Sequence, residues 1–278
     1  MSISGFVKRR RDKAERAAHC AEMRLSHFVK ARFWRGHGVH SPFVYNIIRH
    51  VITGRHKDDE LRKAARAYRD SLRGDVSRIV VGGMGAVKGV PHQSTVREVA
   101  ERTSVTDKYG RMLSRLVKEL RPKSIVELGT SLGMGAVYLS LGNTNAQVVT
   151  LEGLDSVAYA ARRHLTEARI SNVRVVTGDI DDTLHEVLDS LPDGRVEFAF
   201  VDANHSREAT LRYFELLTSH KANMCTIVFD DIFWSPGMTD AWRTIVDDER
   251  VMTSIELPRM GIVFFRSGCQ KEKYVVRW

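Results

Sequence analysis

Two patterns of apolar and polar positions divide the chain. From residue 123 onward, short apolar runs alternate with helical periods: SIVEL, then 134–141; QVVTLE, then 156–168; VRVVTGD, then 182–190; VEFAFVD, then 206–219; MCTIVFDD, then 238–248. Strands buried on both faces read as unbroken apolar runs. Strands that alternate with helices build a parallel, doubly wound sheet. The tail, TSIELPRMGIVFFR followed by EKYVVRW, holds strand-like runs and no helical period. The pattern predicts an α/β fold: a mostly parallel, Rossmann-like sheet with an antiparallel C-terminal edge.

Ahead of that region the period is helical. Ala14, Ala17, Ala18, Ala21, Leu25, Phe28 and Val29 predict an amphipathic helix over 7–34, with Arg and Lys on the other face. Ser41 suits an N-cap, Pro42 the first helical position and Gly54 the stop of a second helix. A third, over 58–73, carries Leu61, Ala65, Tyr68 and Leu72 on one stripe. The glycine-rich VVGGMGAVKGV lacks the G-K-[ST] of a phosphate loop and reads as a mobile loop over 80–91. Helices at 94–103 and 107–120 complete this part. The expected division is a basic helical N-terminal extension, 1–104, and a ligand-binding domain, 105–278.

Composition narrows the class. The chain has 278 residues, 43% hydrophobic and 28% charged, as in a soluble globular protein. No window approaches 18 consecutive apolar residues, so no transmembrane helix is expected. The basic start lacks the apolar core of a secretory signal. Cys20, Cys225 and Cys269 are scattered, against a disulfide framework and against a cysteine zinc site. A cytoplasmic location is the resulting expectation. Residues 1–80 hold 19 Lys and Arg against 8 Asp and Glu, and the remainder holds 24 against 26. The basic excess thus belongs to the N-terminal segment.

Ligands of such sheets bind beyond the carboxyl ends of the strands, and every predicted strand end carries an acid. The first ends in Glu127-Leu128-Gly129 and turns through Ser131, Gly133 and Gly135. Small residues let a backbone approach a ligand closely, and the next helix offers free N–H groups. The spacing is not the G-x-G-x-x-G of dinucleotide sites, and Glu127 would repel a pyrophosphate while suiting a cation. Glu152 ends the second strand, 23 residues after Gly129, where an acid holds a ribose diol. Asp179 ends the third, and either accepts from an exocyclic amine or caps the next helix. Asp202 to His205 end the fourth, and Asp230-Asp231 the fifth. A positively charged nucleoside suits this collar, with or without a metal ion.

VELGTSLGMG, TLEG, TGDI, FVDANHS and VFDDIFW, in this order, resemble the successive motifs of class I S-adenosylmethionine-dependent methyltransferases. The similarity is to the O-methyltransferase branch that includes catechol O-methyltransferase, and it covers roughly 105–266. The N-terminal HGVHSPFVY resembles a bacterial subgroup of such enzymes. The resemblance implies that Glu127, Gly129, Ser131 and Gly133 hold the methionine part of S-adenosyl-L-methionine. It likewise implies that Glu152 binds the ribose, that Asp179 lies near the adenine, and that Asp202 lies near the methionine amine, a metal, or both. In the metal-dependent members an Asp after the fourth strand and an Asp-Asn pair after the fifth bind Mg²⁺. Asp202, Asp230 and Asp231 stand at those positions, with Asp231 replacing the Asn. His205 stands where catechol-type enzymes carry a lysine base, and reads either as the catalytic base beside Asp202 or as an inert residue at a helix start. Trp234 and Met238 read equally as pocket wall and as core.

The implied reaction moves a methyl group to an acceptor hydroxyl, with a small molecule as acceptor and Mg²⁺ as a candidate aid. No N/D-P-P-Y/F motif and no Pro-Cys pair is present, which marks down amine, adenine and pyrimidine-ring acceptors. Three other readings stand beside it. The basic N-terminus would dock RNA or another polyanion as acceptor. Helix 7–34 would lie on an anionic membrane or a partner, with the fold as scaffold. A nicotinamide oxidoreductase shares the fold but not the glycine spacing.

Overall fold

The computed structural model describes residues 3–54, 58–83, 90–266 and 271–278. Its first part is helical: α1 (Ile3–Lys30), α2 (Pro42–Asn46), which widens into a π-helical turn over Ile47–Ile52, and α3 (Asp59–Gly74). Ser41 Oγ accepts from Val44 N, with Pro42 at the first position of α2. The short strands β1 (Arg78–Val81) and β2 (His92–Thr95) pair antiparallel. Val80 and Val81 therefore belong to a strand rather than to the loop expected over 80–91. Residues 84–89 of that glycine-rich stretch lie outside the described residues. Helix α4 (Val96–Thr103) opens on a capping box between Thr95 and Glu98, and α5 (Asp107–Leu120) follows.

Strand and helix then alternate as the apolar runs require: β3 (Ser124–Leu128), α6 (Met134–Gly142), β4 (Gln147–Glu152), α7 (Asp155–Glu167), β5 (Val173–Thr177), α8 (Ile180–Asp189), β6 (Val196–Val201), α9 (Arg207–Ser219), β7 (Lys221–Phe229) and α10 (Pro236–Asp247). Strands β8 (Thr253–Glu256), β9 (Gly261–Phe265) and β10 (Glu272–Val275) close the chain. The main sheet runs β10-β8-β9-β7-β6-β3-β4-β5. Strand β9 runs against both β7 and β8, and β10 pairs parallel to β8. This is the antiparallel feature expected at the C-terminal side.

Alternate residues of β3 enter opposite layers, as a pleat demands. Ile125 joins a core with α3, α5, α6 and α7, which also takes Val44, Ile47 and Ile48 of the N-terminal segment. Val126 and Leu128 join a second core with α8, α9 and α10. Helices α2 to α5, all before β3, thus cover one face of the sheet, while Met23 of α1 packs against the second core.

Helix α1 departs from its expected facing. Ala14, Ala17, Ala18, Ala21, Leu25, Phe28 and Val29 are all exposed, Val29 by 75%. The inward face is His19, Cys20, Met23, Ser26 and His27, and its anchors are polar. His19 Nε2 meets Thr239 Oγ1 at 3.0 Å, and Cys20 Sγ donates to the Phe233 carbonyl at 3.1 Å. His27 lies 3.2 Å from Glu256 Oε1 and 3.2 Å from the Val276 carbonyl. Among the described residues, no helix is long and apolar enough to cross a membrane.

Candidate functional site

Strand order reverses between β3 and β6, with β4 and β5 on one side and β7 on the other. A parallel sheet leaves a crevice at such a point, beyond the carboxyl ends. A cavity of about 680 Å³ lies there. Gly129, Ser131, Glu152 and Asp179 line one half of it; Asp202, His205, Asp231, Trp234 and Arg259 line the other. Of the residues singled out at the strand ends and beyond, Glu127, Gly133, Gly135, Asp230 and Met238 do not reach its surface.

The turn after β3 explains its small residues. Gly129 has φ +97°, and a Cβ there would collide with the Asp202 carbonyl oxygen. Gly133 has φ +81° and lies under Tyr68, whose hydroxyl donates to the Leu132 carbonyl at 2.8 Å. Ser131 holds φ 46° without being glycine. Its N–H donates to Glu152 Oε2 at 2.8 Å, and its hydroxyl lies 2.7 Å from that of Thr103 on α4. A left-handed serine costs about 1 kcal/mol, and the Glu152 and Thr103 contacts hold it in place. Tyr68 and Thr103 come from helices before the sheet. Tyr68 was legible only as part of an apolar stripe, since its partner lies 64 residues away.

Glu152 accepts from Ser131 N–H through Oε2 and from Leu154 N–H through Oε1, at 3.0 Å. Burial raises its pKa, against the pull of those N–H groups. Glu152 also lines the cavity. Glu127 lies beneath the turn, 1% exposed. It accepts from Thr150 Oγ1 at 2.6 Å, and Thr150 Oγ1 in turn lies 2.6 Å from Thr130 Oγ1. A Cβ on Gly135 would collide with the Glu127 carboxylate. Burial pushes the Glu127 pKa up to about 8. Asp179 caps α8, accepting from Asp181 N–H at 2.9 Å, and also lines the cavity.

In the other half, His205 Nε2 lies 3.5 Å from Asp202 Oδ1. Asn204 and His205 both have positive φ, 58° and 36°, a strained pair of the kind found where a side chain must be aimed. Burial lowers the His205 pKa, so the ring is neutral near pH 7 and can accept a proton. The Asp202 pKa is raised, first by burial and then by the charges of Asp230 and Asp231. Trp234 walls the cavity beside His205, ring centroids 6.0 Å apart. Met238 is core, 3% exposed, with Thr210 Oγ1 3.2 Å from its sulfur.

The carboxylates assigned to a metal have another partner. Arg259 Nε donates to Asp230 Oδ1 at 2.8 Å and Nη2 to Oδ2 at 2.6 Å. Nε also lies 3.0 Å from Asp231 Oδ1. Among the described residues, no group of three or more His, Cys, Asp or Glu is placed to hold a metal ion. Mg²⁺ needs near-octahedral oxygens at about 2.0–2.1 Å, and the oxygens of Asp230 are both committed to the guanidinium. As arranged, Asp202, Asp230 and Asp231 do not fit a divalent ion. Arg259 escaped the sequence reading because it carries no motif and lies 29 residues from Asp230.

Comparisons with known proteins bear on this site. A family model described as a methyltransferase domain matches residues 126–232. A protein of Mycobacterium marinum named as an O-methyltransferase is 32% identical over 166 residues, covering 55% of this chain and 72% of that protein. The catechol O-methyltransferase of Mycobacterium tuberculosis is 28% identical over 139 residues, covering 49% of this chain; the match spans 60% of that protein's length. Among solved structures, a Bacillus cereus O-methyltransferase in complex with S-adenosylhomocysteine superposes with a TM-score of 0.53 at 20% identity, covering 75% of this chain and 90% of that one. A Streptomyces achromogenes O-methyltransferase of tomaymycin synthesis, in complex with S-adenosylmethionine, gives 0.54 at 19% identity, covering 76% and 92%. At these identities the structural likeness speaks for the fold.

Proposed function

For a chain that belongs to the S-adenosylmethionine-dependent O-methyltransferases, we propose transfer of a methyl group from S-adenosyl-L-methionine to the hydroxyl of a small-molecule acceptor. The observation that carries this is the single cavity at the sheet's switch point, with Glu152 on one half and the His205–Asp202 pair on the other. Glu152 has two oxygens already aligned by backbone N–H groups, a preorganised acceptor for ribose hydroxyls. Gly129 and Ser131 bring backbone close to the methionine part, and Asp179 faces the nucleoside from the start of α8. Glu127 acts from beneath the turn, as a post that fixes Thr150 and, through it, Thr130. Bound S-adenosyl-L-methionine supplies the methyl group and a sulfur that leaves neutral.

The chain's own residues supply alignment and a proton acceptor. Neutral His205 takes the acceptor's hydroxyl proton as the oxygen–carbon bond forms and the carbon–sulfur bond breaks, its electron pair going to sulfur. Asp202 Oδ1, 3.5 Å from Nε2, is the oxygen that faces the N–H of the imidazolium that results. Trp234 walls this half of the cavity beside His205. No step runs through a metal ion, because Arg259 holds the carboxylates that one would use.

The test is a mass-spectrometric assay in which the purified chain meets S-adenosyl-L-methionine and a panel of phenols, catechols and hydroxy acids. A methylated product with matching S-adenosylhomocysteine supports the reading. Methylation confined to RNA or to amines would overturn it.

A further inference from the structure

The acid pair at the end of β7 already holds a cation. Asp230 is 1% exposed, and Arg259 grips it side-on through Nε and Nη2 at 2.8 and 2.6 Å. Two parallel charge-assisted bonds are the strongest geometry a guanidinium offers a carboxylate. Nε reaches Asp231 as well, at 3.0 Å.

The backbone fixes this arrangement from two sides. Arg259 sits in the turn between β8 and β9, closed by Leu257 N–H donating to the Met260 carbonyl at 2.9 Å. The Arg259 carbonyl itself accepts from Ile232 N–H at 3.0 Å, tying that turn to the loop that carries Asp230 and Asp231. The same loop is pinned from above by Cys20 of α1. The guanidinium is thus delivered to the acid pair by main-chain contacts.

Three of its five N–H groups, both on Nη1 and one on Nη2, have no partner among the described residues. The side chain is 27% exposed and lines the cavity beside Asp202 and His205. Its charge does not titrate in any accessible pH range.

We propose that the Arg259 guanidinium is the resident cation of the acceptor half, standing in place of the divalent ion of metal-dependent relatives. The acceptor part of this statement rests on the methyl-transfer reading; the cation part rests on Arg259 and the three acids alone. The substitution explains why Asp231 can stand where those relatives carry an Asn. A second full negative charge balances a cation that is fixed in the fold.

The experiment titrates Mn²⁺ into the full chain and reads free ion by electron paramagnetic resonance, with S-adenosylhomocysteine affinity measured on the same samples. The wild type takes up no Mn²⁺ below about 1 mM, whereas Arg259→Ala frees the acids and binds one ion at least ~10-fold more tightly. Adding Asp230→Asn to Arg259→Ala abolishes that gain. Arg259→Gln, which keeps the length and loses the charge, is the second variant should Arg259→Ala fail to fold. Two results overturn the proposal: a wild-type Mn²⁺ site lost in Asp230→Asn, or folded Arg259 variants that gain no site. A wild type that binds neither Mn²⁺ nor S-adenosylhomocysteine removes the methyl-transfer reading and leaves the cation assignment standing.

Discussion

Glu127 and Glu152 stand near the ends of neighbouring strands, where Glu127 pairs with Thr150 and Glu152 lies two residues further on, yet their surroundings separate them. Glu152 faces the cavity and accepts two backbone N–H groups. Glu127 is enclosed, with the Thr150 hydroxyl and, among the described residues, no cation beside it, and its pKa rises to about 8 from 4.5. Folded Glu127 therefore keeps its proton across a window in which the unfolded chain loses it. Stability falls as pH rises from about 4.5 to 8, and the loss is on the order of 1–3 kcal/mol at pH 7. Glu127→Gln should flatten the pH dependence of thermal unfolding across that window. A dependence that persists unchanged would remove Glu127 as its source. For His205 the sign is opposite. Its pKa lies below the usual 6.5, so the proton-accepting form persists into mildly acid solution. Turnover should fall only below pH 6.5. His205→Gln should lower kcat by about 10²-fold or more and erase that acid limb. The strand-end acids and the glycines were legible from type and position. Arg259 was not, because only the β8–β9 turn brings it to Asp230.

At the scale of elements, the turn between β3 and α6 is the tightest constraint. Gly129 combines φ +97° with a close approach to the Asp202 backbone. Gly129→Ala adds both strain and collision, so it should destabilise by roughly 2–4 kcal/mol, read as a lowered midpoint in chemical denaturation. A midpoint within error of wild type would contradict the geometry. Tyr68→Phe removes one buried hydrogen bond to Leu132 and should cost about 1 kcal/mol, with weaker cofactor binding as the turn loosens. The strands were readable because burial on both faces leaves continuous apolar runs. Helix α1 was readable as a helix but not in its facing. Its most apolar stripe, through Leu25, Phe28 and Val29, points outward, and it docks through His19, Cys20 and His27. Hydrophobic spacing cannot report a face held by side-chain hydrogen bonds to residues more than 200 positions away.

Across the whole molecule, the two ends of the chain meet. His27 and Trp242 Nε1 both address Glu256, at 3.2 and 2.9 Å, and His27 also reaches the Val276 carbonyl. Cys20 and Arg24 of α1, His92 of β2 and Arg102 of α4 all border the cavity. The helices before β3 therefore shape the space that an acceptor would enter, which separates this chain's cavity from the strand-end motifs alone. That contribution could not be read from residues 1–104, whose basic composition pointed outward to polyanions and membranes as readily as inward.

The account turns on a nucleoside site whose ribose end is Glu152. Its most direct test is calorimetric titration of S-adenosylhomocysteine into the wild type and into Glu152→Ala, with NAD as control. The expected result is one-to-one binding of S-adenosylhomocysteine, at least ~10-fold weaker in Glu152→Ala, and no heat with NAD. Equal affinity in both proteins, or binding of NAD alone, would contradict it.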